Sequence, residues 1–161
     1  MLMLNGCAES VALLGTSIGG SSNGKIFVKE LTAAGVDFTD AELEEGVTGK
    51  CLVMVTVDAE RTMNTFLGAS AQLSKREIDE SALFNSDWLY IEGYLATSNK
   101  HTQMARDIAE SAKTSGVQVA VSLSDPFVVE VHANNLRQII DVGVDLIFCN
   151  TAEAIAFTGT S

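Results

Sequence analysis

The chain has 161 residues, 47% of them hydrophobic, with 10 Lys and Arg against 21 Asp and Glu and a formal charge of −11. This length fits one domain with a buried core. The acidic balance argues against nucleic acid and anionic membrane surfaces as partners, because both require clustered Lys and Arg. No apolar run reaches the ~18 to 20 residues that a bilayer span needs. We therefore expect a cytoplasmic protein.

Five apolar runs have strand character, with turn residues close to each. They are Val11–Leu14, Cys51–Val57, Trp88–Ile91, Val117–Leu123 and Leu146–Cys149. Helical patterns separate most of them and cover Lys25–Ala34, Thr102–Ser115, a helix that Asp125 caps and Pro126 begins, and Thr151–Thr158. We expect a break near Asn134–Asn135. Such alternation predicts an α/β fold with a parallel sheet covered by helices.

The segment between Val36 and Leu67 departs from this alternation and contains no good helical pattern. Strands are predicted at Val36–Phe38, Lys50–Val57 and Arg61–Leu67, with a tight turn at Asp58–Glu60 joining the last two. Polar and apolar residues mix in Arg61–Leu67, as in a sheet with one wet face. We expect a small antiparallel flap, with the acidic run Asp37–Glu45 as a solvated loop.

The cysteines and histidines carry no metal signature. Cys7, Cys51 and Cys149 lie far apart without CxxC spacing, so we expect three small core hydrophobes and no disulfide. His101 and His132 have no second ligand at i+4, which favours surface positions.

Polar side chains follow three successive strands at their carboxyl ends. Glu92 and Tyr94 follow the first, Ser124 and Asp125 the second, and Asn150 and Glu153 the third. Ligands collect at this edge of an open α/β sheet. Each residue also has a purely structural interpretation as a helix cap, a first-turn charge or ordinary packing.

The loop Gly15–Gly24 follows a strand and opens a helix, as phosphate-binding loops do. Asp37 lies 22 residues after Gly15, near the spacing of a ribose-binding acid in dinucleotide folds. The match to G-x-G-x-x-G is imperfect. A simple turn therefore remains an alternative to NAD binding.

The order and spacing of several short motifs resemble the ribokinase-like PfkB carbohydrate kinases, most closely the branch that contains adenosine kinases. The motifs are Gly35-Val36-Asp37, Thr48-Gly49, Asp58–Met63, Leu67-Gly68-Ala69, Glu92–Leu95 and Asn150–Ala154. The resemblance runs from about Gly6 to Glu153. It implies a Rossmann-type parallel sheet flanked by helices, with residues 36–67 forming an inserted antiparallel β lid.

The resemblance also implies transfer of the ATP γ-phosphoryl group to a hydroxymethyl of a sugar or nucleoside. Asn150 and Glu153 match the N-x-x-E motif that orders Mg²⁺ near the phosphates. Arg61, Met63 and Asn64 would reach the substrate from the lid, and Glu92, Tyr94 and Asp125 would form the floor of the same pocket.

Departures from the family pattern predict a partial ribokinase-like domain spanning residues 1–161. The chain has no Gly-Ala-Gly-Asp sequence, which carries the catalytic Asp in the family, so we assign no catalytic residue. The family's first strand and its C-terminal catalytic and ATP-binding portion are also expected to be missing. ATP and Mg²⁺ would serve the full-length parent, neither would bind this fragment tightly, and the fragment alone would be inactive.

The expected partners are a small sugar or nucleoside and a second copy of the chain. A homodimer would form through the lid, at Val53, Val55, Met63 or Phe66, or through an exposed sheet edge. Two alternatives remain from the sequence. One is a non-enzymatic dimerising α/β interaction module, and the other is an NAD-binding domain that uses the Gly15–Gly20 loop.

Overall fold

A computed structural model describes residues 2–6, 10–15, 22–37 and 46–160. The strands are β1 Leu2–Gly6, β2 Ser10–Gly15, β3 Val36–Asp37, β4 Lys50–Val55, β5 Arg61–Phe66, β6 Trp88–Glu92, β7 Gln118–Ser122 and β8 Leu146–Phe148. The α-helices are α1 Ser22–Ala33, α2 Glu80–Phe84, α3 Asn99–Thr114, α4 Pro126–Ile140 and α5 Thr151–Thr158. Short 3₁₀ helices cover Gly68–Gln72, Lys75–Glu77 and Gly93–Thr97. Within this part of the chain, no helix is both long and apolar enough to cross a membrane.

The main sheet has the strand order β3-β2-β1-β6-β7-β8. Strands β6, β7 and β8 are parallel, as predicted, and so are β2 and β3. Strand β1 was not predicted, and it runs antiparallel to both β2 and β6. Residues 7–9 are too few for a helical crossover, so β1 and β2 can only pair as antiparallel neighbours.

The core lies between the parallel strands and helices α3 and α4. Leu89, Ile91, Val119 and Val121 alternate along β6 and β7 and are fully buried. They face the apolar side of α3, on which five residues are buried: Met104, Ala105, Ile108, Ala109 and Ala112. The apolar face that the strand period of two creates on the sheet thus packs against the apolar face that the helix period of 3.6 creates on α3.

Helix α4 begins as the sequence predicts but bends at a different residue. The Asp125 carboxylate accepts from the Phe127 amide at 2.8 Å, and Pro126 opens the helix. The break is at His132, which has non-helical backbone angles, rather than at Asn134–Asn135. Asn135 remains helical, and its side-chain amide donates to the Ala96 carbonyl at 2.8 Å. His101 is partly buried, contrary to its expected surface position, and its Nε2 lies 3.2 Å from the Leu73 carbonyl oxygen.

Strands β4 and β5 form a separate antiparallel hairpin, which we call the lid. Every residue of both strands is exposed, so both faces are wet, whereas the sequence suggested one. Strand β3 pairs with β2, so residues 36–37 belong to the main sheet and not to the lid.

The prediction of buried cysteines is wrong for two of the three. Cys51 lies in the exposed lid and Cys149 follows the edge strand β8, so both are exposed free thiols. Cys7, residues 16–21 of the glycine loop and residues 38–45 of the acidic run lie outside the described residues.

Two glycines at the base of the lid allow its two chain segments to cross closely. Gly68 has a φ of +54°, and a Cβ there would lie 2.2 Å from the Val47 carbonyl oxygen. A Cβ on Gly49 would lie 2.7 Å from the Leu67 carbonyl oxygen. The Ala69 amide donates to that same Val47 carbonyl at 2.9 Å. The lid therefore leaves and rejoins the body at one tightly packed point.

Gly93 makes a second close approach, directly after β6. A Cβ at this position would lie 2.3 Å from the Ser122 carbonyl oxygen and 2.9 Å from that of Leu123. Both neighbours are backbone atoms at the end of β7, which cannot move aside as a flexible side chain can. Only glycine fits without displacing the two strand ends.

We predict that Gly93→Ala lowers the free energy of unfolding by about 2 to 3 kcal/mol, because overpacking forces backbone shifts. Urea denaturation followed by circular dichroism measures this change. The matched control is Gly116→Ala, where φ is +83° but nothing lies within 4 Å of the new Cβ. Its cost comes only from the left-handed backbone and is about 1 kcal/mol. An equal or smaller loss in Gly93→Ala would contradict the close approach.

Candidate functional site

The predicted site residues of the α/β body lie at the carboxyl ends of β6, β7 and β8, which we call the rim, whereas Arg61, Met63 and Asn64 lie on the lid. Glu92, Ser122 and Phe148 are paired in register across the three strands. Because the strands are parallel, Asp125 and Asn150 follow at the same end of the sheet. The topology thus brings Glu92, Asp125 and Asn150 to adjacent strand ends.

A hydrogen-bonded cluster links the ends of β6 and β7. The Ser124 hydroxyl donates to Glu92 Oε2 at 3.1 Å and lies 3.4 Å from the Ser122 hydroxyl, which accepts from the Ser124 amide at 3.0 Å. The Tyr90 phenol lies beside the same groups. Burial is the main cause that raises the pKa of Tyr90, the Ser122 hydroxyl opposes it, and the Glu92 carboxylate adds to it.

The pKa of Tyr94 is affected by several acidic residues of the rim. Burial is the largest cause that raises the pKa of its phenol, and the charges of Asp125, Glu92 and Glu153 raise it further. Like charges act in this direction because each disfavours formation of the phenolate. Three carboxylates from three strand ends therefore lie close enough to influence one phenol.

Asn150 and Glu153 form a reciprocal capping box at the start of α5. The Asn150 side-chain oxygen accepts from the Glu153 amide at 2.8 Å. In return, Glu153 Oε2 accepts from the Asn150 backbone amide at 3.0 Å, and Oε1 accepts from the Asn150 side-chain amide at 2.9 Å. Glu153 is only 6% exposed. Two hydrogen bonds, one to each carboxylate oxygen, compensate for this burial.

The oxygen atoms of this pair suit a hard cation, but they do not complete a coordination shell. Each carboxylate oxygen already accepts one hydrogen bond and keeps capacity for another. The described residues bring together no group of three or more His, Cys, Asp or Glu that would hold a metal. The pair alone would therefore suit only a Mg²⁺ that keeps most of its water.

The strand register divides the predicted lid residues between two faces. Arg61 pairs with Val55, Met63 with Val53, and Thr65 with Cys51, so these six share what we call the inner face. Asn64 pairs with Leu52 and lies on the outer face, with Met54 and Phe66. The structure therefore groups Arg61 with Met63 but separates both from Asn64.

The lid emerges beside the rim. The segment after the hairpin is tied to the start of α3, where Lys100 Nζ donates to the Gln72 carbonyl at 3.4 Å and His101 contacts Leu73. Helix α3 itself starts one short 3₁₀ turn after Glu92. The Cys51 thiol is among the groups that raise the pKa of Tyr94, after burial and the three carboxylates. The base of the lid therefore lies near the start of α3 and the carboxyl end of β6.

Sequence reasoning did not nominate Tyr90 and Ser122, which complete the cluster around Glu92. The available signal was the strand period of two. Tyr90 lies on the same face of β6 as Glu92. Ser122 is the residue on β7 that pairs with Glu92.

Fold and site together define a class: an α/β body with an acidic rim at the carboxyl ends of its parallel strands and a separate two-stranded antiparallel lid. The chain matches the model of the pfkB family carbohydrate kinases over residues 5–161. It therefore belongs to the pfkB family, in its adenosine kinase-like branch, as the sequence motifs implied. The comparison with curated proteins gave no match.

Several solved structures share this fold. Adenosine kinase from Sinorhizobium meliloti is 32% identical with a TM-score of 0.85, over 93% of this chain and 46% of that one. A probable sugar kinase from Rhizobium etli CFN 42 is 27% identical with a TM-score of 0.87, over 96% and 47%. Adenosine kinase from Schistosoma mansoni in complex with adenosine is 27% identical with a TM-score of 0.76, over 91% and 42%. The chain thus spans about half the length of the structures it matches.

We predict that Asn150→Ala lowers the free energy of unfolding by about 1 kcal/mol, because it removes the cap of α5. Hydrogen exchange should show faster opening of the first turn of α5. Asn150→Asp retains an acceptor oxygen and should lose less. Asn134→Ala, an exposed change within α4, is the control and should not destabilise. Unchanged stability in Asn150→Ala would show that the capping box contributes nothing.

Proposed function

We propose that this chain is part of an ATP-dependent kinase that transfers the γ-phosphoryl group to a hydroxymethyl of a sugar or nucleoside. The observation that carries the proposal is the convergence of Glu92, Asp125 and the Asn150–Glu153 pair on one rim at the carboxyl ends of three parallel strands. Membership of the pfkB family and the likeness to adenosine and sugar kinases support it.

The residues divide into an acceptor side and a phosphate side. Glu92, Tyr94 and Asp125 provide carboxylate and phenol oxygens, which suit the hydroxyl groups of a neutral acceptor. Arg61 and Met63, which share the inner face of the lid, would reach the acceptor from that face. Asn64, on the outer face, would contact the acceptor only if the lid twisted.

Asn150 and Glu153 form the phosphate side in this proposal. They would hold a hydrated Mg²⁺, which would supply positive charge to offset the charge that develops during phosphoryl transfer. The chain's own contribution is the fixed orientation of this oxygen pair at the start of α5, at the edge of the acceptor pocket. Such a device positions reactants rather than forming covalent bonds with them.

We propose further that the chain alone does not turn over, since no Gly-Ala-Gly-Asp sequence is present to supply the family's base. It would retain weak acceptor binding. ATP and Mg²⁺ would act in the full-length parent, in the cytoplasm where ATP is available.

Titration of ¹⁵N-labelled protein with adenosine, D-ribose and D-fructose tests this proposal. We expect amide shifts confined to residues 92–94, 124–126 and 150–153 for at least one compound. Glu92→Gln should weaken that binding about tenfold, the order expected for loss of a charge-assisted hydrogen bond. Glu110→Gln, on the exposed side of α3, is the matched control and should have no effect.

Shifts that fall outside the rim, or the same affinity in Glu92→Gln, would contradict the acceptor pocket. Binding of NAD⁺ that is lost in Gly19→Val would instead support the dinucleotide alternative.

The exposed apolar surface of the lid favours self-association, either within the kinase or as a dimerising module without catalysis. Leu52 is 64% exposed and Phe66 60% exposed, both on the outer face. Two predicted contact residues, Val53 and Val55, lie on the inner face with Met63. The edge strand β8 offers a second surface, with Ile147 38% exposed. Patches of this kind mark interaction surfaces.

We predict a dimer in sedimentation velocity at micromolar concentration. Phe66→Lys should give monomers if the lid forms the contact, and Ile147→Lys should do so if the edge of β8 forms it. Val57→Lys, at the fully exposed tip of the hairpin, is the control and should remain dimeric. A monomeric parent chain across the concentration range would contradict self-association.

A further inference from the structure

Ser124 has an unusual backbone conformation for its residue type. Its φ is +69°, and among the described residues only Ala59, in the lid turn, is another non-glycine residue with positive φ. Residues other than glycine rarely adopt the left-handed backbone region, and they persist there only where the surrounding structure holds them. A serine here, where glycine would fit without strain, suggests that the hydroxyl matters.

Several contacts hold Ser124 in place. Its amide donates to the Ser122 hydroxyl at 3.0 Å, and the next amide, of Asp125, donates to the Leu123 carbonyl at 2.9 Å. Asp125 is then fixed as the cap of α4. The Ser122 and Leu123 carbonyls are themselves packed against Gly93. The turn from β7 into α4 is thus constrained on both sides.

This constrained turn directs the Ser124 hydroxyl toward Glu92. The hydroxyl donates to Glu92 Oε2 at 3.1 Å and is only partly exposed. A glutamate has three rotatable side-chain bonds, and fixing it costs conformational entropy. A donor on a rigid neighbouring turn fixes the Glu92 side chain in the free protein, so less conformational entropy is lost when a ligand binds.

We propose that Ser124 is a positioning residue: its hydroxyl holds the Glu92 carboxylate at the rim so that the other oxygen meets a hydroxyl of the acceptor. The identity of the acceptor rests on the proposed function. The contact between Ser124 and Glu92 does not rest on the proposed function, so the positioning role and the proposed function can be refuted separately.

Scalar couplings between the Glu92 side-chain carbon and its backbone report the side-chain rotamer directly. In the parent chain we expect couplings of one rotamer. In Ser124→Ala and Ser124→Gly we expect averaged couplings, with the rest of the spectrum retained. Ser124→Gly removes the hydroxyl and relieves the left-handed strain, so a folding defect cannot explain its effect. Ser111→Ala, which removes a hydroxyl that donates to a carbonyl within α3, is the control and should leave Glu92 unchanged.

Adenosine binding then tests the consequence. Ser124→Ala should weaken it about tenfold, and this loss should disappear in a Glu92→Gln background, because the two residues would act through one contact. A fixed Glu92 rotamer in both Ser124 variants, or equal losses with and without Glu92, would overturn the assignment. If the parent chain binds neither adenosine nor D-ribose, the proposed function fails, whereas the Glu92 couplings still decide the role of Ser124.

Discussion

The close approach of Gly93 to the Ser122 and Leu123 carbonyls is the constraint on which the rim depends. It fixes the ends of β6 and β7 relative to each other at a separation that admits no side chain. Glu92 precedes this point on one strand, and Ser124 and Asp125 follow it on the other. A shift of either strand end would separate the carboxylates that now act on Tyr94. Under the proposed function this placement matters, because an error of about 1 Å at a reacting centre has large effects on rate.

Structural and functional interpretations of the rim residues do not exclude each other. Asp125 caps α4, as the structural interpretation of the sequence predicted, and Asn150 caps α5 in a capping box with Glu153. A cap fixes a polar side chain at a helix N-terminus, where backbone amides already attract anions. The same hydrogen bonds that stabilise the helices therefore hold polar oxygens in constant positions at a sheet edge where ligands bind. Stability measurements on these residues alone cannot separate the two roles, whereas ligand measurements can.

Local patterns in the sequence predicted the elements whose environment is uniform. Strands β6 and β7 and helix α3 were predictable because their apolar periods match a core that covers them evenly. Strand β1 was not predicted, because the short apolar run at the start of the chain is too brief to show the alternation of a strand. The burial of Cys51 was mispredicted because apolar composition normally indicates burial, whereas the lid has no layer packed on either face. Composition cannot reveal that a strand pair projects from the body.

The rim was predictable as a set of strand ends, but its internal contacts were not. The rule for parallel sheets identified Glu92, Asp125 and Asn150 without any geometry. The roles of Ser122 and Tyr90 required the register between β6 and β7, and the division of Arg61 from Asn64 required the register of the lid. Register is set by pairing across the chain, so a single strand read by itself does not contain it.

The placement of the lid over the rim is tested most directly by paramagnetic broadening from one spin label. With Cys7 and Cys149 replaced by serine, a nitroxide on Cys51 reports which amides lie near the inner face of the lid. We predict strong broadening of Gly93 and Tyr94 and little at Gly116, which lies at the opposite end of β7. Equal broadening at both ends, or none at Gly93 and Tyr94, would contradict a lid that covers the rim.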